Sequence, residues 1–212
     1  MENRSVAENA QEADMQYLVT MTTQVPAGVS EAEVDEVRAR ESVRSGELIA
    51  AGHLLRLWRP PLQPGEWRTL GLFEAADEVQ LEEVLASMPL RIWRHDEVTP
   101  LTPHSNDPAS PTPLHLDWTE YFTTFTLTIP EGADSEARLE AEASSTRSLA
   151  AEGKLVRLWR LPSGQALGLW QSDDAEELQK VLDTLPLAEW LQTDLVPLTT
   201  HPSDPAHATP AA

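Results

Sequence analysis

The sequence predicts an α+β protein made of two copies of one β-α-β-β-α-β unit, packed together as an intrachain pseudo-dimer. Three observations carry that expectation. Leu54-Leu55-Arg56-Leu57-Trp58-Arg59 returns as Leu155-Val156-Arg157-Leu158-Trp159-Arg160, and a glycine, Gly52 or Gly153, introduces each run at an offset of 101 (153 − 52). Met88-Pro89-Leu90 returns as Leu185-Pro186-Leu187, and Pro100-Leu101-Thr102-Pro103-His104 as Pro197-Leu198-Thr199-Thr200-His201, now at an offset of 97 (197 − 100). The offset falls by four across the hairpin, where the first copy has Pro60-Pro61-Leu62-Gln63-Pro64-Gly65-Glu66 and the second only the shorter Leu161-Pro162-Ser163-Gly164, so the units on either side keep one order of elements.

The elements follow from local chemistry. A first strand, Gln16 to Thr23 or Tyr121 to Ile129, is rich in Thr and in β-branched or aromatic residues and stops at Pro26 or Pro130. A helix follows from Ser30 or Asp134, both good N-caps, and ends before Gly52 or Gly153. Two strands then form a hairpin: Leu54 to Arg59 with Arg68 to Phe73, and Leu155 to Arg160 with Gln165 to Trp170. A second helix opens at Asp77 or Asp173 and closes at the Pro89 or Pro186 break. The last strand runs from about Trp93 to Leu101, or from about Trp190 to Leu198. This order is the ferredoxin-like split βαβ. Both helices lie on one face of such a sheet, so its other face needs cover, and the second copy can supply it in a dimeric α+β barrel-like pairing.

The chain therefore divides into a disordered, acidic tail over 1–14, a first unit over 15–105, a proline-rich linker over 106–117, a second unit over 118–205 and a disordered tail over 206–212. Turn and polyproline character between Asn106 and Pro113 reads as a semi-extended tether.

Fifteen Lys and Arg against 35 Asp and Glu give a formal charge of −20, a field that repels phosphate backbones and anionic lipid. Neither nucleic acid nor membrane is an expected partner. The absence of cysteine removes disulfides, thiolate metal sites and thiol nucleophiles. Residues Met1 to Asp14 hold no apolar core of the signal-peptide kind, which suggests a cytoplasmic protein. No phosphate loop, nucleophile elbow or paired-histidine zinc motif appears, so no cofactor is expected.

Two sets of residues could carry chemistry. On the hairpin strand, alternation puts Leu55 and Leu57 towards the helices and Arg56 and Trp58, with Arg157 and Trp159, towards the opposite sheet or a cavity between the copies. They could line a ligand site, or simply pack with Arg paired to a carboxylate. On the first helix, Val34, Val37, Leu48 and Ile49 form an apolar stripe with Glu41 close to its centre. The second copy repeats this with Leu139, Ala143, Leu149 and Ala150 around Glu142. A buried carboxyl has a raised pKa and can take and return a proton near neutral pH. A structural ion pair with Arg44, Arg56 or Arg157 is the competing reading. His104 and His201 occupy matching positions in proline-bounded tails, where a surface or interface role is expected.

Glu41 leading through Leu48 and Gly52 to Leu57-Trp58-Arg59, then Phe73, Met88-Pro89-Leu90 and Glu97-Val98-Thr99-Pro100-Leu101, resembles muconolactone delta-isomerase. The second copy resembles it through Glu142, Leu149, Gly153, Leu158-Trp159-Arg160, Leu185-Pro186-Leu187 and Val196-Pro197-Leu198. The resemblance implies single-unit relatives that oligomerise, hence a homo-oligomer here, and a cofactor-free double-bond shift in an unsaturated lactone. It also implies a proton shuttle at Glu41, and by the repeat at Glu142. Arg56 is the best-placed group to steady an enolate, with Trp58, Arg44, Arg157 and Trp159 as further substrate contacts. The chain departs from the family at Arg44 and Ser145, at Arg56 and Arg157, and at Arg91-Ile92-Trp93, so its substrate is expected to differ from muconolactone. A polyketide-like molecule of secondary metabolism, handled by a cyclase or dehydratase, fits the same acid–base chemistry. The first copy is expected to carry most of the function. A non-catalytic small-molecule binder or a purely structural unit are the rival classes.

Overall fold

A computed structural model describes residues 14–108, 110–115 and 117–207. The tail expected over 1–14 lies almost wholly outside the described residues, as do positions 109 and 116 of the linker and the last five residues of the C-terminal tail.

The first unit contains β1 (Met15–Thr23), α1 (Glu31–Ala50), β2 (Leu54–Arg59), β3 (Arg68–Ala75), α2 (Glu78–Ala86) and β4 (Arg94–Pro103). The second contains β5 (Thr119–Leu127), α3 (Glu136–Ala151), β6 (Leu155–Arg160), β7 (Ala166–Ser172), α4 (Ala175–Asp183) and β8 (Leu191–Thr200). The expected order is present in both copies. The proline breaks turn out to be short 3₁₀ turns, Pro89–Trp93 and Ala188–Trp190.

Local signals place these boundaries. The Ser30 hydroxyl accepts from the Glu33 N–H at the start of α1, and Asp77 and Asp174 cap α2 and α4 in the same way. The second of these caps is Asp174 rather than the expected Asp173. At the other end of α1, Gly52 takes a φ of 79° that a side chain disfavours, and the His53 N–H then reaches the Leu48 carbonyl at 2.9 Å. Helix α3 starts at Glu136 without a side-chain cap and is 16 residues long against 20 for α1.

All eight strands close into one antiparallel barrel in the order β1-β3-β2-β8-β5-β7-β6-β4. The two sheets therefore do more than stack. At one seam β2 pairs with β8, Trp58 opposite Thr200, and at the other β4 pairs with β6, Thr102 opposite Arg160. Closure leaves no open sheet edge, the usual hazard of a small antiparallel sheet. The last strands run two residues beyond Leu101 and Leu198 to make these seams.

Three apolar clusters result. The outer two pack α1 and α2, or α3 and α4, on their own sheets. The central one fills the barrel with Trp58, Leu72, Phe122, Trp159, Leu169 and their neighbours from both copies. Burying each such side chain contributes about 1.5–3 kcal/mol, so the barrel interior is the main force holding the copies together.

Strict alternation fails at one point. A bulge between Leu54 and Arg56, repeated between Leu155 and Arg157, shifts the register by one residue. Leu54 and Leu57 consequently face the helices, and Leu55 joins Trp58 in the central cluster. The expectation that Leu55 faces the helices is corrected by that bulge.

The linker is not a free tether either. Thr112 donates to the Leu155 carbonyl at 2.9 Å, the buried Gln171 amide donates to Pro113 O at 2.7 Å, and Leu114 packs on the central cluster. Gln171 needs partners in the interior, and the linker backbone supplies them. Among the described residues no helix is long and apolar enough to cross a membrane.

Candidate active site

The sheet's helix-facing side opens at one end into a pocket in each copy. In the first copy α1 presents Glu41 between Val37 and Ser45, on the stripe that packs on the sheet. Its Oε2 accepts from the Leu90 N–H at 2.8 Å, and its Oε1 accepts from Arg94 at 3.1 Å. Arg94 is itself 2% exposed and is forked onto Asp96 at 2.6 and 2.9 Å. Burial pushes the Glu41 carboxyl above its ordinary range, while the Leu90 N–H and the Arg94 guanidinium pull it back. Both oxygens are committed. The cavity in front of them has a volume of about 350 Å³.

In the second copy α3 presents Glu142 at the matching place, buried at 7% exposure. Its Oε2 accepts from the Leu187 N–H at 3.0 Å. No cation pairs with it among the described residues, because Leu191 stands where the first copy has Arg94. Burial again raises its pKa, and only the Leu187 N–H opposes the rise. The cavity, about 180 Å³, is lined mainly by apolar side chains, Phe125, Leu139, Leu158, Leu187 and Leu191 among them.

Each pocket is completed by the other copy. His201, from the tail after β8, lines the Glu41 pocket, and His104, from the tail after β4, lines the Glu142 pocket. Their backbones continue the seams: the His201 N–H donates to Leu57 O and the His104 N–H to Leu158 O, both at 3.0 Å. The Nδ1 of His104 accepts from the Asn106 N–H and that of His201 from the Ser203 N–H, each at 3.1 Å, which leaves Nε2 to carry the proton of the neutral ring. Burial, helped by nearby Arg59, pushes His201 down to about 4, and burial with Arg160 lowers His104 as well. Both imidazoles are therefore neutral hydrogen-bond donors at physiological pH.

The other sequence-predicted residues lie elsewhere. Arg44 bonds Ser87 at 2.9 Å and Glu47 at 2.7 Å on the outer surface, away from either pocket. Arg56 and Trp58 point to the other face of the sheet. There Arg56 grips Glu120 and Asp204, and the Trp58 indole N–H donates to Glu120 at 2.8 Å. Arg157 pairs with Asp107 at 3.0 Å, and Trp159 donates to Gln16 at 3.0 Å. These four side chains tie the copies together, on the face to which strand alternation assigns them. They do not meet either glutamate.

Sequence reasoning assigned the tail histidines a surface or interface role and overlooked the acidic residue beside each of them. In both copies an aspartate stands three residues on, Asp107 or Asp204, and its carboxylate accepts from the Leu158 or Leu57 N–H and from Arg157 or Arg56. That repeated His-x-x-Asp spacing was the available signal. It pins each imidazole over its partner's pocket.

A family model described as muconolactone delta-isomerase matches residues 15–107 and again 119–204. The Muconolactone Delta-isomerase of Cupriavidus pinatubonensis is 30% identical over 90 residues, covering 42% of this chain and 95% of that protein. The enzyme of the same name from Rhodococcus opacus is 29% identical over 91 residues, covering 43% and 95%. Solved structures share the barrel at low identity. They include a chlorite dismutase from Candidatus Nitrospira defluvii (TM-score 0.55, 11% identity, 87% of this chain and 91% of that one) and a heme-binding protein from Thermus thermophilus (0.53, 13%, 91% and 95%). At such identities the likeness speaks to the fold alone. The double match of the family model, in two segments that each form a complete unit with its own buried glutamate, shows that the chain belongs to the muconolactone delta-isomerase family, with the family's unit present twice.

Proposed function

We propose that the chain is an isomerase that shifts a C=C bond in a small unsaturated lactone or similar enolisable molecule, with proton transfer in the second pocket. Glu142 is the base. The observation that carries this reading is its environment: a buried carboxylate with one oxygen held by the Leu187 N–H and no cation beside it, facing an apolar cavity. A carbon acid needs a base whose pKa is lifted towards working pH, and burial lifts this one.

The steps balance without a co-reactant. Glu142 takes a proton from the carbon γ to the carbonyl of an α,β-unsaturated substrate, the C–H electron pair moves into a dienolate, and the new O–H on Glu142 returns the proton to the α carbon, two positions along, so that the C=C bond moves from α,β to β,γ. Charge develops on the carbonyl oxygen, where the neutral His104 Nε2–H can donate to it. Arg160, at the pocket rim, supplies a cation to a substrate carboxylate or to the enolate. This assigns the enolate-stabilising role to His104 and Arg160 rather than to Arg56, which is spent on Glu120 and Asp204.

Glu41 is the weaker candidate. Arg94 stabilises its ionised form, and both its oxygens already hold hydrogen bonds. The expected bias between the copies is kept in this reading, but reversed.

The test is turnover of muconolactone, and of related lactones, by Glu142→Gln and Glu41→Gln. Glutamine keeps the bond from the Leu187 N–H and removes the base, so Glu142→Gln should lose about 10²–10⁴-fold in kcat with KM little changed. Equal losses in both variants, or full activity in Glu142→Gln, would reject this assignment.

A further inference from the structure

The first pocket has kept the shape of the site while changing its chemistry. Where the second copy has Leu139 and Leu191, the first has Arg38 and Arg94, and Arg59 lies at the rim. Arg94 is neutralised internally by Asp96 and Glu41. Arg38 and Arg59 are not: Arg38 reaches Asp35 only at 3.7 Å with its side chain 54% exposed, and Arg59 makes no ion pair among the described residues. Among the residues that line the pocket Arg38, Arg59 and Arg94 are cationic and Glu41 alone is anionic, with Asp96 behind Arg94 shared with Arg91, so the lining is net positive in a chain whose formal charge is −20. Such a site focuses field lines for an anion.

Two further features point the same way. Thr23 and Ser45 are 7% and 4% exposed, line this cavity and make no side-chain hydrogen bond among the described residues. Their counterparts offer nothing similar, since Leu127 replaces Thr23, and the Thr146 hydroxyl is turned back onto the Glu142 and Ala143 carbonyls. Trp67 also lines the first cavity, with Arg38 stacked over its ring at 4.3 Å, whereas the matching position in the second copy is Gly164. An aromatic wall beneath a guanidinium suits a flat organic anion.

We infer that the first pocket is a second ligand site, which binds a small flat carboxylate through Arg38, Arg59, Trp67 and the Ser45 and Thr23 hydroxyls and holds it without transferring a proton. The ligand class is fixed by charge and shape; the source is either a carboxylated substrate or product of the second pocket, or an unrelated effector. The inference does not rest on the isomerase reading.

Benzoate and benzamide have the same shape and differ in charge, which makes them suitable probes. Calorimetric titration of the full chain should show benzoate binding at least tenfold tighter than benzamide. Arg59→Ala and Arg38→Leu, both at exposed side chains that leave the core intact, should each weaken benzoate at least tenfold with an unchanged circular dichroism spectrum. Benzoate should still bind the Glu142→Gln protein, and turnover by that variant decides the isomerase reading separately. Benzoate that fails to bind, that binds no better than benzamide, or that is lost in Arg160→Ala instead of Arg59→Ala overturns the inference. If benzoate binds as expected, a shift in turnover on its addition identifies an effector site, and competition by the lactone for the same site identifies a substrate or product site.

Discussion

The two pockets share a backbone and differ in what surrounds one carboxylate. Both place a glutamate on the sheet-facing stripe of the first helix, both give it a leucine N–H from the 3₁₀ turn, and both receive a neutral histidine from the opposite tail. In the first, Arg91, Arg94 and Asp96 build an ion network next to Glu41; in the second, Ala188, Leu191 and Thr193 occupy those positions and Glu142 has no countercharge among the described residues. Under the proposed roles, duplication separates two demands that conflict in one site. A base for a carbon acid must be ionisable but uncompensated, and an anion site must be rich in cations. Within one chain each pocket can settle on one of them.

The seam that holds the pockets together is asymmetric as well, and breaking it gives the largest expected effect on stability. Glu120 joins Arg56 and Trp58 across the copies, and its counterpart Gln16 meets Trp159 without a charge. Glu120→Ala leaves Arg56, 12% exposed, with Asp204 alone and should cost about 3–5 kcal/mol in urea unfolding. Gln16→Ala removes a neutral hydrogen bond and should cost about 1 kcal/mol. Equal costs would mean that the charge in the seam contributes nothing beyond its contacts.

A smaller effect should separate the glutamates by size. Glu142 has a raised folded pKa, so its protonated form is the one folding favours: its contribution is complete below the unfolded value near 4.5 and is lost as pH rises through the folded value. Removing that ionisation, Glu142→Gln should therefore raise the urea midpoint at neutral pH, with the gain vanishing in acid. The pKa of Glu41 is raised as well, but the Leu90 N–H and Arg94 both oppose the rise, and Arg94, 2% exposed, loses one of its two carboxylate partners in Glu41→Gln, so this variant should raise the midpoint less than Glu142→Gln does. If Glu41→Gln stabilises as much as Glu142→Gln, the ion network around Arg94 does not set the two carboxylates apart.

Much of this was legible in the chain. The repeated strand from Leu54 to Arg59, the capping residues and the Gly52 and Gly153 stops fix each unit, and the 3.6-residue period exposed Glu41 and Glu142 as anomalies. What could not be read depends on contacts distant in sequence. The bulge at Leu55 is set by register against Leu72 and Phe73, and no local signal marks it. Strand alternation turned Arg56 towards the other copy, but its partners lie 64 and 148 residues away and no local signal names them. His104 and His201 looked peripheral because each tail ends its own unit; only closure of the barrel brings them over the other unit's pocket. The proline-rich linker misled for the opposite reason: its composition suits a tether, and it is docked by contacts distant in sequence, with Gln171, the Leu155 carbonyl and the central cluster.

If an uncompensated Glu142 does the proton transfer, the pH dependence of kcat/KM shows it most directly. In the unmodified chain the rate should rise with pH along a limb set above the ordinary carboxylate value of 4.5, since the base must be ionised and burial opposes ionisation. Leu191→Arg gives Glu142 the cation that Glu41 already has. That guanidinium favours the charged carboxylate, so the limb should move to lower pH and the plateau rate should fall as the base weakens. A limb unmoved by Leu191→Arg and abolished by Glu41→Gln would contradict the account and return the chemistry to the first pocket.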